Sequence, residues 1–130
     1  MPSSPGAGPL HFAFHPNGRW FYSLNEESST LAFMTYDGNG HLTPVTEIST
    51  LPQGSAGTNF TSEVIFSADG NFVYVANRLH DSIAICNIAG NGAPQFVEET
   101  QTGGDYPRSF GIEPNEKFLY SCDQRSDAIT

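Results

Sequence analysis

Cysteine is scarce in this chain: Cys86 and Cys122 are the only two in 130 residues, and neither stands in a C-x-x-C or a Cys/His arrangement. That argues against a disulfide framework and against a cysteine-based zinc site. Both thiols are expected as free, buried core residues in strands. Positive charge is scarce too. Five Lys and Arg, dispersed along the chain, face 14 Asp and Glu, for a formal charge of -9. Such a surface repels a phosphate backbone, so no nucleic acid and no anionic membrane surface is expected as a partner. No apolar run approaches the roughly 20 residues a spanning helix needs. The opening "MPSSPGAGP" also lacks the basic start and apolar centre of a signal peptide. A cytoplasmic protein is expected, periplasmic or secreted if a leader precedes this stretch. Helical periodicity is missing as well, because no long stretch keeps apolar residues at helical spacing without Gly, Pro or β-branched interruptions.

What the chain does have is 13 Gly, 9 Pro and 12% aromatic residues, with 38% hydrophobic and only 15% charged. One soluble folded unit of many short strands joined by tight turns fits these proportions. The fold class is all-β.

Internal similarity sharpens that class. "HFAFHPNGRWFYSLNEESSTLAF", "EVIFSADGNFVYVANRLHDSIAI" and "SFGIEPNEKFLYSCDQRSDAIT" align without gaps, with Tyr22, Tyr74 and Tyr120 in register at intervals of 52 and 46 residues. These intervals are near the length of one four-stranded propeller blade. Each unit begins with an inner strand (Phe12 to His15, Val64 to Phe66, Phe110 to Ile112) that turns back through "HPNGR", "SADGN" or "EPNEK". Second strands follow in "WFYSL", "FVYVA" and "FLYSC", and third strands in "STLAFMTY" and "DSIAICNI". "TPVTEIST" and "QFVEET" supply fourth strands, and the last copy stops at "DAIT". The expected architecture is a β-propeller of four-stranded antiparallel blades, about two and a half to three of a larger ring, with units at approximately 8–53, 60–102 and 106–130. Three copies do not close a ring of the usual four to eight. The chain is therefore expected to be a fragment, inactive by itself, with exposed sheet edges.

Strand direction places the connections between second and third strands on one face, together with the start of each inner strand. "NEESS", "NRLHDS" and "DQRSD" thus share that face, which explains why so polar a knot divides the apolar strands of "YVANRLHDSIAI". Asn25, Asn77 and Asp123 are equivalent, as are Ser29, Asp81 and Asp127. Their short acceptor side chains suit local bonds to backbone N–H groups. Glu26, Arg78 and Gln124 change charge from copy to copy. They are expected either to bind substrate or to be solvated loop charges. His11, Glu63 and Arg108, from the starts of the three inner strands, are expected to converge on the channel axis. There an imidazole or carboxylate can move a proton and a guanidinium can hold an anion or oxyanion. No metal and no cofactor is expected, since Cys/His clusters and a Gly-rich phosphate loop are lacking.

"GAGPLHFAFHPNGRWFYSLNE", "SEVIFSADGNFVYVANRLHDSIAI" and "YPRSFGIEPNEKFLYSCDQRSDAI" together resemble the seven-bladed β-propeller lactonase family. That family includes propeller-type 6-phosphogluconolactonases and fungal carboxymuconate-lactonizing enzymes. The resemblance implies a metal-independent lactone hydrolase of carbohydrate metabolism acting on a small anionic lactone. With the convergence above, it supports His11, Glu63 and Arg108 as catalytic residues, Glu63 falling where the family often has a small or acidic residue. It adds Arg78, through its motif, to the repeat position Glu26, Arg78 and Gln124 expected to bind substrate. The family's glycine-proline-arginine-histidine motif falls on Gly8, Pro9, Leu10 and His11, so leucine replaces its arginine. Its Asn-Arg-Gly-His-Asp-Ser-Ile motif falls on Asn77 through Ile83, with Leu79 in place of glycine, and its Pro-Arg motif on Pro107 and Arg108. A carboxymuconate cyclase-like enzyme and a non-catalytic binding or surface propeller of the YVTN type stand as alternatives.

Overall fold

The computed structural model describes residues 3–130. Among them there is no helix, and the strands form three antiparallel sheets. The first sheet runs β1 (Pro9–Phe14), β2 (Trp20–Asn25), β3 (Thr30–Tyr36) and β4 (Leu42–Ser49), each strand beside its sequence neighbour. The second repeats this with β5 (Thr61–Phe66), β6 (Phe72–Asn77), β7 (Ser82–Ile88) and β8 (Pro94–Gln101). The third has three strands, β9 (Pro107–Ile112), β10 (Leu119–Asp123) and β11 (Ala128–Ile129). These are propeller blades: up-and-down sheets stacked face to face, with inner strands β1, β5 and β9 side by side.

Turn chemistry explains why the chain reverses where it does. The first hairpins close through His15 N–H to Trp20 O, Ser67 N–H to Phe72 O and Glu113 N–H to Phe118 O. Each needs a left-handed residue, supplied by Gly18 (φ 69), Gly70 (φ 73) and, in the third sheet, Glu116 (φ 55). Glu116 compensates with its side chain, whose Oε1 accepts from the Ala68 N–H of the second sheet at 2.6 Å. His15 makes the corresponding link one sheet earlier, its Nε2 lying 2.9 Å from Gly70 O.

The core lies between sheets because alternate residues on each strand face opposite neighbours. Tyr22, Leu24, Leu31 and Phe33 of the first sheet bury themselves against Val64, Val73, Val75, Ala84 and Cys86 of the second. Between the second and third sheets a smaller cluster joins Ala76 and Ile83 to Phe110. The remaining sheet faces stay open: Leu10, Phe12 and Phe14 on the first sheet and Phe118, Tyr120 and Ile129 on the third are exposed. The expectation of two buried thiols is half corrected. Cys86 is buried, while Cys122 lies on that open third face and is exposed.

One irregularity recurs where site residues were expected. The ladder slips between Pro9 and His11, between Thr61 and Val64, and opposite Pro107 and Ser109. Each inner strand therefore opens on a β-bulge, a device that re-aims side chains at the rim of a sheet.

Candidate functional site

Four of the six expected site residues form two pairs. The first joins neighbouring inner strands. His11 Nδ1 on β1 lies 2.7 Å from Glu63 Oε1 on β5, with the histidine side chain 44% exposed and the glutamate 19%. The same Glu63 oxygen accepts the Val64 N–H at 3.0 Å, which fixes the carboxylate against its own backbone. A carboxylate on one ring nitrogen selects the imidazole tautomer and leaves the other nitrogen for chemistry.

Arg78 and Glu26 form the second pair, an ion pair between the β6–β7 and β2–β3 turns. Arg78 is only 4% exposed, so its alternative as a solvated loop charge is corrected. Its Nη2 also donates to Thr61 O at 3.2 Å. The Phe60 and Tyr106 rings lie 5.6 and 5.3 Å from its guanidinium carbon. Arg125 comes within 4.0 Å of the same Tyr106 ring. A guanidinium is the cation best suited to such a place, because its flat, weakly hydrated faces stack while its edge donates hydrogen bonds.

Arg108 and Gln124 share only a hollow on the third sheet, which they line with Ser109, Cys122, Asp123 and Asp127; the 2.7 Å contact of the expected axial trio joins His11 to Glu63 and leaves Arg108 outside it. Arg108 occupies the bulge position held by Leu10 and Ser62 in the other sheets. Ser62 turns toward the third sheet, donating to Pro107 O at 2.8 Å.

The short acceptors around these pairs bond differently from the local pattern the sequence suggests. Asn77, fully buried, takes Thr50 Oγ1 at 2.8 Å and Asn59 Nδ2 at 3.0 Å, and donates to Thr50 O at 3.0 Å. Asp123 accepts from Ser121 Oγ at 2.9 Å and Thr130 Oγ1 at 2.6 Å. Ser29, Asp81 and Asp127 all sit at positive φ (53, 50 and 51). Ser29 reaches Asn59 O at 3.0 Å and Asp81 the Tyr106 N–H at 2.8 Å, each clasping the approach to the next sheet.

Sequence reasoning passed over one further cluster. His80 Nδ1 lies 2.8 Å from Glu99 Oε2, and the buried Ser82 hydroxyl donates to that same oxygen at 3.0 Å. His80 Nδ1 also lies 3.4 Å from Ser82 Oγ, so the three side chains form one closed polar cluster in which the serine proton points to the carboxylate. The first sheet repeats the fastening with Thr30 and Glu47. Among the described residues no three His, Cys, Asp or Glu side chains gather as metal ligands would, and no helix is long and apolar enough to cross a membrane.

Comparison with known proteins places this geometry. The family model described as "Lactonase, 7-bladed beta-propeller" matches residues 1–130. The 6-phosphogluconolactonase of Bacillus subtilis is 36% identical over 125 residues, covering 95% of this chain and 36% of that protein. An uncharacterized protein of Staphylococcus saprophyticus is 36% identical over 124 residues, again 95% of this chain and 36% of its own. Among solved structures, the periplasmic gluconolactonase PpgL of Pseudomonas aeruginosa superposes with a TM-score of 0.94 at 31% identity, covering 99% of this chain and 36% of that one. A putative 6-phosphogluconolactonase of Bacteroides fragilis gives 0.87 at 28% identity over 99% of this chain and 35% of its own. The chain spans about a third of the length of the curated relatives it matches. With the repeat, the blades and a family match over its whole length in agreement, the chain belongs to the seven-bladed β-propeller lactonase family.

Proposed function

We propose that the protein to which these blades belong hydrolyses a sugar lactone to its acid, with His11 and Glu63 handling the proton. The observation that carries this reading is the 2.7 Å contact between His11 Nδ1 and Glu63 Oε1, made by a half-exposed imidazole at the inner-strand rim. Glu63 accepts the Nδ1 proton and turns Nε2 outward as a base. Nε2 takes a proton from water as the water oxygen bonds to the lactone carbonyl carbon. The bond from that carbon to the ring oxygen then breaks, and the proton passes to the departing alkoxide. The products are one carboxylic acid and one hydroxyl, and side-chain proton transfer alone completes the balance.

Arg108, beside Gln124, is suited to hold an anionic substituent or the developing oxyanion. The 6-phosphogluconolactonase names of the Bacillus subtilis and Erwinia tasmaniensis relatives support a phosphorylated sugar lactone as the substrate. The test is initial rates on 6-phosphogluconolactone and on the unphosphorylated lactone, for the wild type, Glu63→Gln and Arg108→Ala. Replacing the carboxylate that orients the base, as Glu63→Gln does, is expected to lower turnover of both lactones by about 10²–10⁴-fold. Arg108→Ala is expected to penalise the phosphorylated one more. Wild-type rates in Glu63→Gln overturn the assignment of the pair.

A further inference from the structure

The Glu26–Arg78 pair and the His11–Glu63 pair are built on the same two backbone segments. Glu26 N–H donates to Gly8 O at 2.7 Å, three residues before His11. Glu26 O accepts the Thr61 N–H at 3.4 Å, two residues before Glu63. From the other side, Arg78 N–H donates to Phe60 O at 2.8 Å, its Nε approaches the same oxygen at 3.5 Å, and its Nη2 reaches Thr61 O at 3.2 Å. Thirdly, the strand ladder slips between Thr61 and Val64. A bulge leaves backbone groups without their regular partners, and the guanidinium supplies a donor where the ladder lapses. The slip itself recurs in the first and third sheets, where Glu26 and Gln124 stand at this position, so what the guanidinium adds in the second is its hold on the Phe60 and Thr61 carbonyls.

An arginine so arranged has little left for a ligand. Arg78 is 4% exposed, bonded to a carboxylate and two carbonyls and flanked by two aromatic rings. We infer that Arg78, anchored by Glu26, is a positioning residue that holds the Phe60–Thr61 backbone leading into Glu63 and so aims Glu63 at His11, and that it does not contact substrate. The inference rests on the reading of His11 and Glu63 as the working pair, and it changes the part expected for Arg78 and Glu26 from binding to alignment.

The test reads the alignment directly. Long-range ¹⁵N–¹H correlation spectra of the full-length protein that contains these blades, taken well above the ordinary imidazole pKa of about 6.5, report which His11 nitrogen carries the proton. The wild type is expected in the Nδ1–H form and Glu63→Ala displaced toward Nε2–H. Arg78→Met is expected to follow Glu63→Ala, changing the tautomer ratio at least about threefold, while Arg78→Lys, keeping charge and a donor, stays nearer the wild type. A folded Arg78→Met chain with the wild-type tautomer overturns the inference. If Arg78→Met does not fold, Glu26→Gln decides in its place: a displaced ratio supports the clamp and an unchanged one overturns it. Lactone turnover in the same variants keeps the two readings apart. Full activity in Glu63→Ala refutes the working pair whatever the tautomer shows, whereas an unchanged tautomer with lost activity in Arg78→Met refutes the clamp alone.

Discussion

The Tyr22 hydroxyl of the first sheet donates to the Gly92 carbonyl of the second at 2.6 Å, across 70 residues of sequence. Tyr22 is fully buried, and its repeat counterparts become progressively barer, Tyr74 partly buried and Tyr120 half exposed. Tyr120 lies on the face of the third sheet against which this chain supplies no further sheet. Tyr22→Phe removes the donor and leaves the carbonyl unsatisfied, a cost of about 1–2 kcal/mol. Tyr120→Phe is expected within about 0.5 kcal/mol of the wild type. Urea titrations of the two variants check the contrast, and equal losses would contradict it.

Gly92 is as demanding as its partner. Its φ is +89, and a Cβ there would overlap Phe33 Cζ and come within 2.8 Å of the Trp20 ring. Gly92→Ala is expected to cost about 3 kcal/mol or more, from strain and overpacking together. Gly103, with φ +85 and open space around it, isolates the backbone part, so Gly103→Ala is expected to cost only about 1 kcal/mol. Thermal melts of both variants supply the measurement.

Alkylation separates the cysteines. Burial pushes the Cys86 thiol up to about 12, while Cys122 is exposed. Since the thiolate is the nucleophile, iodoacetamide at pH 8 is expected to add one label to the folded chain, at Cys122, and two in urea. Mass spectrometry of peptides locates them, and a label on Cys86 in the folded chain would count against the buried interface.

Alkaline pH is expected to weaken the fold. Burial raises Cys86 from its ordinary 9.0 to about 12 and Tyr22 above its ordinary 10.0. The folded chain therefore keeps protons that the unfolded chain gives up, and stability falls with rising pH wherever the unfolded state binds fewer protons. Stability from these groups is complete below about pH 9 and declines from there toward pH 12. Urea midpoints at pH 8, 9.5 and 11 are expected to fall in that order, and Cys86→Ala is expected to flatten the first part of the decline.

Asn77 offers a further test of the polar knot. Its side chain makes three hydrogen bonds to Thr50 and Asn59, wholly out of water. Asn77→Ala is expected to cost about 2–4 kcal/mol, because its partners are left buried and unpaired. Gln124→Ala, at an exposed position of the third turn, is expected within about 0.5 kcal/mol of the wild type. Denaturant midpoints distinguish the two.

The repeat carried most of the fold into view. Tyr22, Tyr74 and Tyr120 in register, with Pro, Asn and Gly at the hairpins, predict the strands that form β1 to β11 because turn chemistry and alternation are local. Local rules also predict that Asn77 bonds to its own loop, and there they fail: its partners, Thr50 and Asn59, lie 27 and 18 residues upstream. Arg78 is hidden from sequence reasoning for the same reason, since its burial depends on Glu26 and Tyr106 from the adjoining sheets. A charge reversal along the repeat marks the position without saying whether it faces a ligand or a carboxylate. The bulges are a third omission. Nothing in Pro9-Leu10-His11 or Thr61-Ser62-Glu63 signals a slipped ladder, although these are the segments that bear the working pair.

Ser29 reaches forward to Asn59 and Asp81 forward to Tyr106, each from a turn that precedes its partner by 25 residues or more. These clasps make the polar turn of one sheet part of the next: the side chain that completes the turn finds its partner only in the segment leading into the following sheet, so neither the first nor the second sheet has its full set of hydrogen bonds without its successor.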